Sequence, residues 1–222
     1  MSTKRCYKQY CGLAKAIDVI GERWALLIVR DLMFGPWRYS DLLERLKGVT
    51  TNLLSKRLKD LEENGLIKKS HLSSVGSSHV YELTELGWEL EAGILALSQF
   101  GFNYMHGGPH SDEQVDPGRA LLNLKTHYRK KRKGVVTFCF NNEYSQGRQE
   151  YYQVSFSSAG VGIRCGKNMP VDVSIELSMR TYGDLAFRSA DATKLETLRK
   201  LSVKGNRLIW TRFLDSFGLN YS

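Results

Sequence analysis

Leucines in the first hundred residues recur at helical spacing, and the breaks between apolar runs fall on glycine and proline. "LAKAIDVIG" reads as a short amphipathic helix closed by Gly21. "WALLIVRDLMFGP" is a strongly apolar helix stopped at Gly35-Pro36, where proline cannot continue the ladder. "YSDLLERL" follows as a third helix with Ser40 as its cap. Beyond the turn "KGVT", which contains Gly48, "TNLLSKRLKDLEENG" is a fourth helix capped by Thr50 or Thr51. Its Leu54, Leu58 and Leu61 share one stripe, while Asn52, Ser55, Lys56 and Lys59 fall on or near the opposite face. "LIKKSHL" and "HVYEL" flank the polar tip "SSVGSS" and read as a β-hairpin. A last long helix opens on Thr84 and carries Leu86, Leu90, Ile94 and Leu97 down one stripe, either core or the seam of a dimer. Trp24, Leu26, Leu27 and Leu32 are assigned to the core, and Trp37 to packing behind the Gly-Pro stop.

Past Met105 the pattern changes. "HGGPHSDEQVDPG" is rich in breakers and reads as a linker. "RALLNLKTHY" is helical, with Asp116 placed to cap it and Pro117 at the first helical position. "GVVTFCF", "EYYQVSF", "GVGIRC" and "VDVSIEL" alternate as strands do, and "DATKLETLRK" and "NRLIWTRFLDSFGL" return to helix. The expected organisation is a mainly α domain over residues 1–106, a linker over 107–116 and an α+β domain over 117–222, with one sheet face covered by helices.

Two short helices across a glycine-containing turn form a helix-turn-helix, and a hairpin directly after it makes a winged helix. Charge supports this reading only locally. The formal net charge of the 222 residues is +9, which favours an anionic partner, nucleic acid before a membrane surface. Residues 1–110 nevertheless carry 14 basic against 12 acidic side chains, and the remainder 18 against 11. Nucleic-acid binding by the first half must therefore rest on where its cations sit. The "RKKRK" run at 129–133 reads as solvated surface.

Other functions find little support. Cysteines occur at 6, 11, 139 and 165, too sparsely for a disulfide framework, and without the close pairs zinc needs. No apolar run reaches eighteen residues and the N-terminus lacks an apolar signal core, so a cytoplasmic protein without stable membrane insertion is expected. No G-x-S-x-G, phosphate loop, dinucleotide fingerprint or paired acid/base carboxylates occur, so neither enzymatic activity nor a cofactor is expected.

Residues 10–90 carry a more specific signature: "DVIGERW", "LLIVRDL", "GPWRYSDL", "NLLSKRLKDLEENGL" and "YELTELG". This set resembles the HxlR-type winged helix-turn-helix transcriptional regulators, relatives of MarR. The resemblance implies a sequence-specific regulator of transcription, a homodimer bound to an inverted repeat in double-stranded DNA and responsive to a ligand or to redox state. The fourth helix would then enter the major groove. Thr51, Asn52, Ser55 and Lys56 are the candidates for base contacts, and Lys59, Lys68 and Lys69 for phosphate contacts. Arg57 either joins them or pairs with an acidic neighbour. Cys11 matches the family's N-terminal cysteine, which implies a redox-sensing thiol. At the start of the first helix, free backbone N–H groups favour its thiolate, and Lys8 and Lys15 would act in the same sense. The alternative is an inert, small apolar side chain.

Residues 120–219 are similar to sterol-carrier-protein-type lipid-binding domains, in which a turn like "VKGNR" precedes a last amphipathic helix. That similarity implies an apolar small-molecule ligand in a cavity between sheet and helices. Phe138, Phe140, Tyr152, Phe156, Leu185, Phe187, Trp210 and Phe213 are its candidate lining, or else ordinary core. The rival to a DNA-binding regulator is accordingly a lipid or small-ligand carrier whose winged helix serves dimerisation or protein contact.

Overall fold

The structure is a computed structural model, and it describes residues 6–71, 79–105, 109–110, 112–113, 115–129, 132–142, 148–166, 171–186 and 191–219. The chain divides into two compact units, Met1–Ala96 and Leu97–Ser222.

In the first unit, α1 (Gly12–Ile20), α2 (Ala25–Leu32), α3 (Tyr39–Arg45) and α4 (Thr51–Glu63) precede a hairpin of β1 (Ile67–His71) and β2 (His79–Leu83). The hairpin is antiparallel, with Ile67 opposite Leu83 and His71 opposite His79. Its tip lies outside the described residues. Trp37 adds a third extended segment by exchanging backbone hydrogen bonds with Tyr81 at 3.0 and 2.8 Å. This is a winged helix.

Four local expectations need correction. Helix α3 starts two residues earlier than a Ser40 cap implies. Arg38 is the cap residue, and Asp41 accepts its N–H at 3.2 Å, because the Trp37–Tyr81 pairing holds the chain extended up to that point. Leu27 is 39% exposed; Ile28 and Val29 fill the core beside Leu32. Trp24 and Leu26 are only half-buried. The long helix after Thr84 is divided into α5 (Glu85–Trp88) and α6 (Glu91–Phe102). At the division Glu89 and Leu90 donate to Leu86 and Gly87, a tighter three-residue spacing that turns the chain off the α-helical path. Of the expected stripe Ile94 is buried, while Leu86 and Leu97 are about half exposed and so are not core of their own chain.

The "T-x-x-G" spacing at 84–87 has a direct physical cause. The Thr84 hydroxyl accepts the Gly87 N–H at 3.1 Å and donates to the Gly65 carbonyl at 2.6 Å. A Cβ on Gly87 would come within 2.0 Å of the Leu66 carbonyl oxygen, so only glycine permits this approach.

The second unit contains α7 (Pro117–Leu121), α8 (Asn123–His127), β3 (Gly134–Asn142), β4 (Arg148–Ser157), β5 (Gly160–Cys165), β6 (Val173–Ser178), α9 (Met179–Ala186), α10 (Ala192–Thr197), β7 (Leu201–Gly205) and α11 (Arg207–Phe217). Asp116 caps α7 by accepting from Arg119, with Pro117 in the first turn, as the spacing predicts. The sheet order is β5-β4-β3-β6-β7, with β3 and β6 parallel and the other neighbours antiparallel. Helix α9 and strand β7 are additions to the expected elements, and α11 packs on β3, β6 and β7. No helix among the described residues is long and apolar enough to cross a membrane.

Candidate nucleic-acid interface

Helix α4 is built to show one face. Thr50 caps it, its hydroxyl accepting the Leu53 N–H at 3.3 Å. Leu54, Leu58 and Leu61 are at most 1% exposed and seat the helix in its own unit. Thr51, Asn52, Ser55, Lys56 and Lys59 are all exposed. Thirteen residues rise about 20 Å along the axis, and a helix with side chains is about 10–12 Å across, close to the width of the B-DNA major groove.

Arg57 belongs to the buried side. Its guanidinium ion-pairs with Glu22 and with Asp60 at 2.8 Å, and its Nε donates to the Arg23 carbonyl at 3.2 Å. It thus clamps α4 to the turn between α1 and α2, where Trp24 takes a left-handed backbone with φ 80°. A helical signal for this was present, since position 57 lies three residues after Leu54 and four before Leu61.

The predicted cations are not equivalent. Lys59 pairs with Glu63 at 3.7 Å, Lys68 with Glu82 at 3.4 Å and Lys69 with Glu62 at 3.5 Å. Lys69 also lies over the Tyr81 ring. Such exposed pairs hold their partners weakly and exchange readily for phosphate. Lys56 has no carboxylate partner among the described residues, nor does the exposed Lys47 in the turn before α4. Lys47 was missed by the sequence reading, although a cation in the turn preceding a reading helix is itself a signal. Tyr39 was missed too. Its hydroxyl donates to the Thr51 carbonyl at 2.8 Å and accepts from Ser55 at 3.2 Å, which fixes the start of α3 beside the first turn of α4.

Cys11 is exposed at the N-cap of α1. Its thiol is held below the ordinary value of 9.0 by the backbone N–H groups of Ala14 and then Leu13, and not by Lys8 or Lys15. Cys6 donates to Asp18 at 3.1 Å.

In the second unit, Phe138, Phe140, Tyr152, Phe156, Leu185, Trp210 and Phe213 are each at most 3% exposed. Phe187 lies outside the described residues. The rings pack on one another: Phe138 stacks on Phe140 at 5.8 Å, Phe213 on Trp210 at 5.5 Å, and Phe156 meets Phe213 edge-on at 5.8 Å. These side chains therefore fill the interior between sheet and helices instead of lining a cavity, because they satisfy each other's apolar surface. Among the described residues no group of three or more His, Cys, Asp or Glu gathers as metal ligands.

Comparison with known proteins bears on the N-terminal half of the chain. The family described as HxlR-like helix-turn-helix matches residues 19–108. An uncharacterized HTH-type transcriptional regulator of Mycobacterium bovis is 41% identical over 94 residues, which are 42% of this chain and 59% of that protein. The chain thus spans under two thirds of that relative. The HTH-type transcriptional regulator YodB of Bacillus subtilis is 34% identical over 36% of this chain and 71% of its own length. Another uncharacterized regulator of that type from B. subtilis, YkvN, is 34% identical over 42% of this chain and 80% of its own. The solved reduced form of YodB is 28% identical, covering 46% of this chain and all of that one, with a TM-score of 0.39.

Proposed function

The chain belongs to the HxlR-like helix-turn-helix family, and from that premise we propose that it is a sequence-specific, DNA-binding transcriptional regulator. One observation carries the reading: α4 buries Leu54, Leu58 and Leu61 while its first turns present Thr51, Asn52, Ser55 and Lys56 to solvent. Those short polar side chains suit hydrogen bonding to base edges, and Lys56 and Lys47 suit phosphate or guanine. Lys59, Lys68 and Lys69 add phosphate contacts when their carboxylate partners release them.

The protein acts as a homodimer in this reading. α1 exposes Leu13 and Ile17, and the end of α6 exposes Leu97 and Phe100, apolar side chains that a second copy would cover. Two recognition helices would then face half-sites about 34 Å apart in an inverted repeat. The second unit serves as a small-ligand module of sterol-carrier-like architecture. Its mixed five-stranded sheet and the final helix after the "VKGNR" turn support this. Cys11, exposed and with a lowered pKa, is the candidate through which redox state would be read.

Selection of bound fragments from random DNA by the purified chain tests the proposal, with Lys56→Ala and Asn52→Ala measured on the selected site. Each variant should lose about 1–3 kcal/mol of specific binding, and the parent's affinity should fall steeply with salt. Parent-like binding by both variants would remove α4 as the reading element. Failure of the parent to bind any fragment at low salt would favour the carrier reading.

A further inference from the structure

Between α8, α9 and the C-terminal end of α11 lies a cavity of about 140 Å³, at the edge of the aromatic interior expected to hold a ligand. Leu124, Phe217 and Leu219 supply apolar walls, and Asn123, His127, Arg129 and Tyr182 the polar ones. Gly218 shapes the α11 side. It ends the helix with φ 65°, a left-handed conformation that favours glycine, and lets the Leu219 N–H return to the Leu214 carbonyl at 2.8 Å.

The polar groups are unequal. Tyr182 is only 4% exposed, and its ring stands edge-on to Phe138 and Phe140. No hydrogen bond among the described residues involves its hydroxyl, the one polar atom this side chain can offer the cavity. The ring is buried, whereas the hydroxyl is not among the enclosed polar atoms without a partner, so an acceptor can reach it from the cavity. Burial also pushes its pKa upward, so it stays a neutral donor. His127 is oriented from behind, with Nδ1 2.9 Å from the Asn123 carbonyl, which can only accept. Arg129 is exposed and puts a permanent cation at the cavity, while no acidic residue among the described ones lines it.

We propose that this cavity binds a small one-ring aromatic carboxylate. The ring rests against Leu124, Phe217 and Leu219, and the carboxylate accepts from Tyr182 in the field of Arg129. Size sets the class, since a cavity of about 150 Å³ accommodates benzene. A fused ring or a long acyl chain would leave part of its apolar surface in water. The inference rests on reading the second unit as a ligand module and specifies what that module takes.

The test titrates the full chain with benzoate, toluene, acetate, 1-naphthoate and octanoate, by calorimetry or ligand-observed NMR, without DNA. Benzoate should bind with a dissociation constant of about 1 mM or tighter, the range open to so small a ligand. Toluene and acetate should each bind roughly tenfold more weakly or worse, lacking the charge or the ring. Tyr182→Phe should weaken benzoate roughly tenfold and leave toluene unchanged, the signature of one lost hydrogen bond. Arg129→Gln, an exposed change that spares the fold should Tyr182→Phe prove unstable, should weaken benzoate several-fold and flatten its salt dependence. Absence of benzoate binding, or equal binding by the parent and Arg129→Gln, would overturn the assignment. Octanoate or 1-naphthoate binding in place of benzoate would also overturn it while leaving the ligand-module reading intact.

Discussion

Helix α4 and strand β3 each carry three large apolar side chains on one face, and they differ in what the other face does. Leu54, Leu58 and Leu61 anchor α4, and its opposite side meets solvent with Asn52, Ser55 and Lys56. Val136, Phe138 and Phe140 anchor β3, yet Thr137 and Cys139 on its opposite side are also only 7% exposed. β3 lies at the centre of the sheet, paired to β4 and β6, and is enclosed on both faces. One element therefore offers a surface for recognition, and the other holds its unit together. Periodicity reports that a face is apolar. Whether the other face is available depends on the neighbours.

The largest test of this contrast is on stability. Phe138→Ala removes a fully buried ring that contacts Phe140, Tyr182 and Phe213, and should cost about 3–5 kcal/mol. Lys56→Ala should stay within about 0.5 kcal/mol of the parent. Urea unfolding followed by far-UV circular dichroism compares the two directly. A small loss in Phe138→Ala would mean that the aromatic interior is looser than its ring packing indicates, and would reopen it as a ligand site.

Arg57 crosses the division, because it is a cation that belongs to α4's buried face. Its side chain is 8% exposed, while Glu22 and Asp60 are 59% and 34% exposed. Breaking a fully buried pair costs about 3–5 kcal/mol, and partners this open to water reduce the expected loss for Arg57→Ala to about 1–3 kcal/mol. Its effect on DNA affinity should follow stability, unlike that of Lys56→Ala, which should affect affinity alone. If Arg57→Ala kept full stability and lost DNA binding, Arg57 would move to the recognition face.

How much of this was legible in the sequence follows the same division. The elements of the first unit could be read because Gly21, Gly35-Pro36, Gly48 and Gly65 punctuate a steady helical spacing. The leucine stripe of α4 identified its exposed face without further information. The division between α5 and α6 was not legible, since its shortened hydrogen bonds leave no mark on residue type. In the second unit, alternation placed β3 to β6. It did not indicate α9, whose "MRTYGDLA" mixes polar and apolar residues, or β7, whose "LSVKG" looks like the approach to a turn. The aromatic residues posed a harder problem. Alternating aromatics would line a cavity or fill a core equally well, and only the distances between rings separate the two cases. The cavity beside Tyr182 was invisible for a related reason. It is assembled from α8, α9 and the end of α11, whose residues are far apart in sequence.

The smallest expected effect concerns the cysteines, which repeat the contrast at single-residue scale. Cys139 is buried on β3 and Cys11 is exposed at the start of α1. The thiolate is the reactive form, so access and acidity together set the rate of modification. Cys11 has both, because the N–H groups of Ala14 and Leu13 stabilise its anion and lower the pKa from 9.0. The sign is that of an acid with a depressed pKa. The charged form already accumulates below pH 9.0 and is lost as the pH falls through the lowered value. Alkylation by iodoacetamide, read site by site by mass spectrometry, should therefore rise at Cys11 with a midpoint below 9.0, while Cys139 stays unlabelled until the protein unfolds. Because Cys11 lies on the surface, Cys11→Ser should leave the unfolding midpoint unchanged. A mild oxidant should alter DNA affinity in the parent and not in Cys11→Ser if this thiol is a sensor. A midpoint at or above 9.0, or an equal response to oxidant in parent and variant, would reduce Cys11 to an exposed cap residue with no signalling role.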